Sequence, residues 1–248
     1  MDPTLPRRPD GDAASETLDA LGHGEVKSIR MMPYGSNAVF EAILKGPGGD
    51  LRAIYKPQAG EAPLWDFPSG TLYRREYAAY LLSHETGWGF IPPTVIRDGP
   101  HGVGTMQLFI EHDPRVTFFS LRDYRLDDFA GVAAFDVLTN NADRKGGDVL
   151  EDGDGRLWFI DHGLTFHSDY KLRTVIWEFQ GDPLPRPTTE RLREMAPALE
   201  PGENLERKLS EILNAGEVDS LRSRLEALLE EPVFPWPGLH RSVPWPPV

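Results

Sequence analysis

The chain has no cysteine, which excludes disulfides, thiolate metal sites and S-acylation. Its seven histidines show no metal-ligand spacing, so any metal is expected on oxygen ligands. No stretch approaches about 18 consecutive apolar residues, the length that reads as a membrane span. The opening MDPTLPRRPDGDAAS has no apolar core, which argues against a secretory signal. Basic side chains are scarce: 26 Lys and Arg stand against 39 Asp and Glu, for a formal charge of −13. That balance disfavours nucleic acid, whose phosphates demand clustered cations, and also an anionic membrane surface. No internal repeat is visible. A soluble cytoplasmic protein is the expectation, and 248 residues suffice for one large domain or for two small lobes sharing a cleft.

The chemistry is concentrated at residues 139–166, TNNADRKGGDVLEDGDGRLWFIDHGLTF. Asp143 sits in Asn141-Ala142-Asp143-Arg144, and Asp148 follows five residues later. The apolar run Leu157-Trp158-Phe159-Ile160 then leads into Asp161-His162-Gly163. Phosphoryl transfer needs little covalent chemistry from a protein. One carboxylate orients the acceptor hydroxyl, and oxygen-bearing groups hold Mg²⁺ against the phosphates. Each acid alone has a plainer reading. Asp152-Gly153-Asp154-Gly155 is a hairpin turn, Gly146-Gly147 is turn punctuation, and an acid ending an apolar strand can cap a helix. The three together, with a lysine and a glutamate upstream, favour a nucleotide site.

In order along the chain, residues 1–15 read as a mobile leader, with a short helix from Ser15 to Leu21. Val26–Met32 and Ala38–Leu44 read as strands about the tip Tyr34-Gly35-Ser36-Asn37, with a turn at Gly46-Pro47-Gly48-Gly49. Leu51–Pro57 is a third strand, ended by a proline that lacks an amide donor, and it carries Lys56 just before that end. A helix begins near Ser69-Gly70-Thr71, bears Glu76, shows Leu72, Ala79 and Leu82 on one stripe, and stops near Gly87. Pro92–Arg97 and Gly102–Ile110 form a hairpin. Arg122–Leu138 has amphipathic spacing and presents the acidic stretch at its C-terminal end, and residues 188–231 are helical in pattern. The tail PVFPWPGLHRSVPWPPV, with six prolines and two tryptophans, reads as extended. It either packs on its own domain through Trp236 and Trp245 or serves as a partner ligand.

The protein-kinase catalytic loop has a base Asp, a metal-binding Asn at the fifth position beyond it, and then Asp-Phe-Gly. Asp143, Asp148 and Asp161 occupy those places. Asp-Arg with Asp-His-Gly, in place of His-Arg-Asp with Asp-Phe-Gly, resembles the phosphatidylinositol 3-/4-kinase superfamily. The type II phosphatidylinositol 4-kinases and HipA-like kinases are the nearest in wording. The resemblance covers roughly residues 26–185, and Gly60–Gly70 narrows it to an actinobacterial branch. Absence of Ala-Pro-Glu separates the chain from ordinary serine/threonine kinases, and absence of cysteine removes the lipid-anchoring segment of the type II enzymes.

The resemblance implies an α+β, two-lobed protein-kinase-like fold with a small antiparallel-sheet N-lobe and a mainly helical C-lobe. The expected divisions are a leader at 1–15, lobes at 16–111 and 112–231, and a tail at 232–248. It also implies ATP with Mg²⁺ or Mn²⁺. Gly35, Ser36 and Asn37 would cover the phosphates, and Lys56 would contact them while pairing with Glu76. The main chain of Gln107, Leu108, Phe109 and Ile110 would hold adenine. Asp148 and Asp161 would bind metal, Asp143 would orient the acceptor, and Arg144 would support the loop or the γ-phosphate. Ser69 and Thr71 are candidate autophosphorylation acceptors. Asp148 departs from the usual Asn and adds a charge beside a polyphosphate. Three readings follow: a kinase acting on a protein, itself included, or a small molecule; a nucleotide-binding pseudokinase or scaffold; and an AMP transferase.

Overall fold

The computed structural model describes residues 11–33, 35–46, 48–238 and 241–248. Five antiparallel strands, β1 (Val26–Met31), β2 (Phe40–Gly46), β3 (Gly49–Pro57), β4 (Thr94–Gly99) and β5 (Gly102–Leu108), form one sheet in the order β1-β2-β3-β5-β4. Strand side chains alternate between faces. Ala42 and Leu44 of β2 and Ala53 and Tyr55 of β3 therefore meet Met106 of β5 in a small core, closed by Leu21 of helix α1 (Gly11–His23). Lys56, one residue beyond Tyr55, points to the opposite face, where helix α2 (Leu72–Glu85) lies. The leader before residue 11, Tyr34 of the tip and Pro47 of the turn lie outside the described residues, whereas residues 11–15 already belong to α1.

The single apolar stripe expected on α2 is too narrow. Tyr73, Arg75, Glu76, Ala78, Tyr80 and Leu81 are buried along with Leu72, Ala79 and Leu82. The helix is wedged between the sheet and the second lobe, so nearly every face is covered. Arg75 reaches across to the carboxylate of Glu217 and donates 2.7 Å to the carbonyl of Thr165, tying α2 to the helical lobe.

That lobe contains α3 (Phe118–Arg125), α4 (Ala130–Thr139), the hairpin β6 (Val149–Glu151) and β7 (Leu157–Phe159), α5 (Arg186–Met195), α6 (Asn204–Ser210) and α7 (Ala215–Glu230). The helix expected over 122–138 is broken. Arg125 leaves helical geometry at φ −133, its side chain engaged with Asp128, Glu151 and the Gly155 carbonyl, and a 3-10 turn at Leu126–Phe129 separates α3 from α4. The run 188–231 is likewise divided into three helices by two gaps, one at 196–203 holding Pro197 and Pro201-Gly202 and one at 211–214 ending on Asn214. No helix among the described residues is long and apolar enough to cross a membrane.

The tail is extended, and the Trp236 ring lies against Gly181 while remaining largely open to solvent. Trp236 and Trp245 are 67% and 78% exposed. Phe234 is buried and stacks on Phe179, and main-chain bonds join Phe234 to Gly181 and Asp182, Ser242 to Thr174, and Pro247 to Gly146. The tail therefore lies along residues 174–184 and reaches the acidic stretch.

Candidate active site

Two elements deliver the acids, and aromatic packing holds them in register. Helix α4 ends at Asn140 in the left-handed region, φ 54, turning the chain into Asn141–Arg144. Strand β7 ends at Phe159 and leads to Asp161. Phe90 sits between them, its ring edge-on to Phe135 of α4 at 5.1 Å and to Phe159 of β7 at 5.2 Å. Its carbonyl accepts the Phe159 amide at 2.9 Å. Each such aromatic pair contributes about 0.5–1.5 kcal/mol beyond its buried area.

Lys56 links the two lobes. Its Nζ lies 3.1 Å from Glu76 of α2 and 3.0 Å from Asp161. Burial alone would lower its pKa, but the two carboxylates more than offset this and hold it above the ordinary lysine value. Lys56 in turn holds Asp161 below the usual carboxylate range. Asp161 has φ 62, a strained value for a residue with a side chain and one that clusters at functional sites. Asp148 is buried, accepts the Lys145 amide at 2.7 Å, and is pushed well up by burial and then by the charge of Asp161. Asp143 is also raised, by burial first, while Lys145 at 2.8 Å opposes the shift.

A divalent cation fits Asp148 and Asp161. Two oxygen-donor carboxylates that repel each other, Asp148 buried and Asp161 partly open to solvent, suit a hard ion. No group of three or more metal-ligating side chains occurs among the described residues.

Arg144 lies inside the protein. Its guanidinium is fully buried, paired with Asp136 at 2.9 and 3.0 Å, and donates to the Ile160 carbonyl at 2.8 Å and to His162 Nε2 at 2.7 Å. The guanidinium thus joins Asp136 of α4 to His162 and to the chain just before Asp161. Burial, and then the nearby Arg144 and Lys56 cations, push the His162 pKa well down. The ring is therefore neutral, with Nε2 accepting and the proton on Nδ1.

Asp136 escaped the sequence reading, although an acid inside the apolar helix Ala130–Thr139 is itself a sign of a buried partner. Asn141 also has an unforeseen part: its Nδ2 donates to Asp136 at 2.9 Å, and its Oδ1 accepts the Asp143 amide at 3.0 Å. Gly146 is required where it stands, since a Cβ there would lie 2.6 Å from the Phe119 ring.

Of residues 107–110, expected to hold adenine, three have their amides engaged within the protein. Gln107 lies inside the ladder between β3 and β4, and the amides of Leu108 and Phe109 donate to Pro93 at 2.8 Å and Arg52 at 3.1 Å. Ile110 retains an amide with no main-chain partner among the described residues. It packs with Leu150 and Trp158, against the partly buried Leu108 and Ile160, in an apolar floor between the lobes. The Gln107 side chain has its own task, bridging Thr94 Oγ1 at 2.9 Å and Glu76 Oε1 at 3.4 Å.

At the hairpin tip, Gly35 takes φ 116, open to glycine alone, and Ser36 is exposed. The Asn37 side chain points inward instead, accepting the Ala62 amide at 2.7 Å. Ser69 is exposed, and the Thr71 hydroxyl donates to the Pro68 carbonyl at 2.7 Å. A separate cavity of about 290 Å³ between Ala196–Pro201 and α7 includes none of these residues.

No protein-family model matches the chain. Protein Rv2133c of Mycobacterium tuberculosis is 38% identical over 91% of this chain and 93% of its own length. Phosphatidylinositol 4-kinase gamma 4 of Oryza sativa subsp. japonica is 29% identical over 42% of this chain, and phosphatidylinositol 4-kinase gamma 3 of Arabidopsis thaliana is 25% identical over 66%. The matches span 22% and 36% of those two plant proteins. Among solved structures, hydra Fam20 with sugar has a TM-score of 0.62 at 14% identity, covering 93% of this chain and 91% of that one. The Golgi casein kinase with Mn/ADP bound has a TM-score of 0.59 at 16% identity, covering 90% and 76%. The fold is thus the two-lobed, protein-kinase-like one, and the likeness is to a kinase-like superfamily.

Proposed function

This chain belongs to the same family as protein Rv2133c of Mycobacterium tuberculosis, and from that premise we propose that it is a metal-dependent phosphotransferase of the phosphatidylinositol 3-/4-kinase-like superfamily. It moves the γ-phosphoryl group of ATP to a hydroxyl, with lobes at 16–111 and 112–231. The observation that carries this reading is Lys56, held 3.1 Å from Glu76 in one lobe and 3.0 Å from Asp161 in the other. A merely structural lysine has no need of two carboxylates converging from separate lobes at the mouth of a cleft.

Lys56 steadies the phosphates, and Glu76, itself held by Gln107, fixes Lys56. Adenine lies on the floor of Ile110, Leu150 and Trp158, within reach of the Ile110 amide. Asp148 and Asp161 hold Mg²⁺ or Mn²⁺, which when bound neutralises phosphate charge. Asp143, reached by neither Arg144 nor the tail in any described hydrogen bond, orients the acceptor and takes its proton. Arg144 is a positioning residue, locking Asp143 and Asp161 to one buried centre through Asp136 and the Ile160 carbonyl.

The test is the intact mass of the purified protein after incubation with ATP and Mg²⁺ or Mn²⁺, beside Asp161→Ala. A gain of one phosphoryl unit in the parent alone, or ADP formation with an added acceptor, is the expected result. A gain of AMP would replace phosphoryl with nucleotidyl transfer. Metal-dependent ATP binding with no turnover would make the protein a pseudokinase.

The acidic limb of the pH profile gives a second test. Asp143 must be ionised to accept a proton, so the rate rises as pH increases through its pKa, which burial lifts above the ordinary aspartate value. Lys145 holds that pKa down. Lys145→Ala is therefore expected to move the acidic limb to higher pH, and an unmoved limb in kcat would remove Asp143 from the proton-accepting role.

A further inference from the structure

We infer that the acceptor is a compact alcohol carrying its own anionic group, a phosphate or a carboxylate, and that Arg173 reads that group. The inference rests on the phosphotransferase reading and names the substrate class of the same site. Arg173 lies directly across from the catalytic stretch. Its amide donates to the Asn141 carbonyl at 2.9 Å, and its carbonyl accepts the Arg144 amide at 3.0 Å, so its backbone is pinned to both flanks of Asp143. The guanidinium is close enough to lower the pKa of Asp143, yet among the described residues it makes no hydrogen bond and no ion pair.

The other cations nearby are engaged. Lys145 pairs with Asp143 at 2.8 Å, Lys171 with Asp66 at 3.0 Å, and Arg144 is buried against Asp136. In a chain of net charge −13, a half-buried arginine left unpaired beside the proposed base needs a reason. An anion on the acceptor supplies one, because a guanidinium binds carboxylate or phosphate through paired N–H donors.

The tail argues that the acceptor is compact. A polypeptide acceptor binds most simply by pairing its main chain with an exposed edge. Residues 174–184 are already covered: the Thr174 amide and Trp177 Nε1 both donate to the Ser242 carbonyl at 3.0 Å, the Gly181 amide to Phe234 at 3.0 Å, and the Leu184 amide to Pro232 at 2.8 Å. On the other flank, the Gly146 amide donates to Pro247 at 2.8 Å. Arg173 and Asp143 are thus bordered by edges that the protein has already paired with itself.

In the reaction, the acceptor oxygen bonds to the γ-phosphorus as the bond to the β,γ-bridging oxygen breaks. ADP leaves with that electron pair, and the hydroxyl proton passes to the Asp143 carboxylate. Arg173 holds the acceptor's second group and exchanges no proton.

The experiment uses the full chain with Mn-ATP or Mg-ATP and four probes: glycerol, sn-glycerol 3-phosphate, D-glycerate and a glutamate-rich serine peptide. ADP release and product mass are read for the parent, Arg173→Ala and Arg173→Lys. The expected result is kcat/KM for the two small anions about tenfold or more above that for glycerol, the worth of one hydrogen bond to a charged group. Arg173→Ala erases that preference mainly through KM, and Arg173→Lys restores part of it.

Equal use of glycerol, a preference unchanged in Arg173→Ala, or transfer to the peptide alone overturns the inference. So does a parent that hydrolyses ATP but phosphorylates none of the small anions, an outcome that leaves the kinase reading standing. Absence of any metal-dependent ATP binding defeats the kinase reading itself. Should Arg173→Ala fail to fold, Arg173→Lys and the parent's own preference still decide.

Discussion

Asp161→Asn is expected to leave a folded protein whose phosphoryl transfer falls by about 10³-fold or more, the scale on which removal of a phosphate-charge clamp is felt. The carboxylate lies 3.0 Å from Lys56, and its charge reaches the buried Asp148. The amide keeps the shape and loses the charge that a divalent ion and Lys56 both need. Stability should change little, because Asp161 is 54% exposed and Lys56 keeps Glu76 at 3.1 Å. Single-turnover assays across a range of Mn²⁺ and thermal unfolding separate the two effects. A variant retaining more than about a tenth of the parent rate at saturating metal would take Asp161 out of the metal site.

The largest effect on stability belongs to a residue that touches neither substrate nor metal. Asp136→Ala is expected to cost about 3–5 kcal/mol, because it strands the Arg144 guanidinium where both side chains are fully buried. At roughly 2–4 °C per kcal/mol for a chain of this size, the midpoint falls by about 6–20 °C. Activity in the folded fraction falls as well, since Asp136 also holds Asn141, whose side chain accepts the Asp143 amide. The double variant Asp136→Ala with Arg144→Met should be less destabilised than the single change, because the uncompensated charge is gone. A double variant worse than the sum of the two single changes would show that the ion pair is not the source of the loss. Calorimetry and denaturant unfolding of the four proteins in the cycle measure the coupling directly.

The contrast between these residues marks what was legible in the sequence. The five strands, the helix bearing Glu76 and the acid-bearing loop announce themselves through local period, turn residues and spacing, which depend on neighbours a few residues away. The break between α3 and α4 did not, because Arg125 leaves the helix for partners on the β6–β7 hairpin that no window around residue 125 contains. The partners of the Leu108 and Phe109 amides were hidden for a similar reason: the Pro93 and Arg52 carbonyls claim them from distant parts of the sheet.

What the sequence by itself determined is the chemistry available: oxygen ligands without thiols, three aspartates at phosphotransferase spacing, and a lysine at the end of a strand. Only the tertiary structure decided how those groups are shared. It buried Arg144 against Asp136, set Lys56 between Glu76 and Asp161, and left Arg173 near Asp143 with no hydrogen bond or ion pair among the described residues. The physical reason is that ionic partners are chosen by distance and desolvation in the folded chain. The strong pairs here join residues up to 142 positions apart, a separation at which local sequence pattern carries no information.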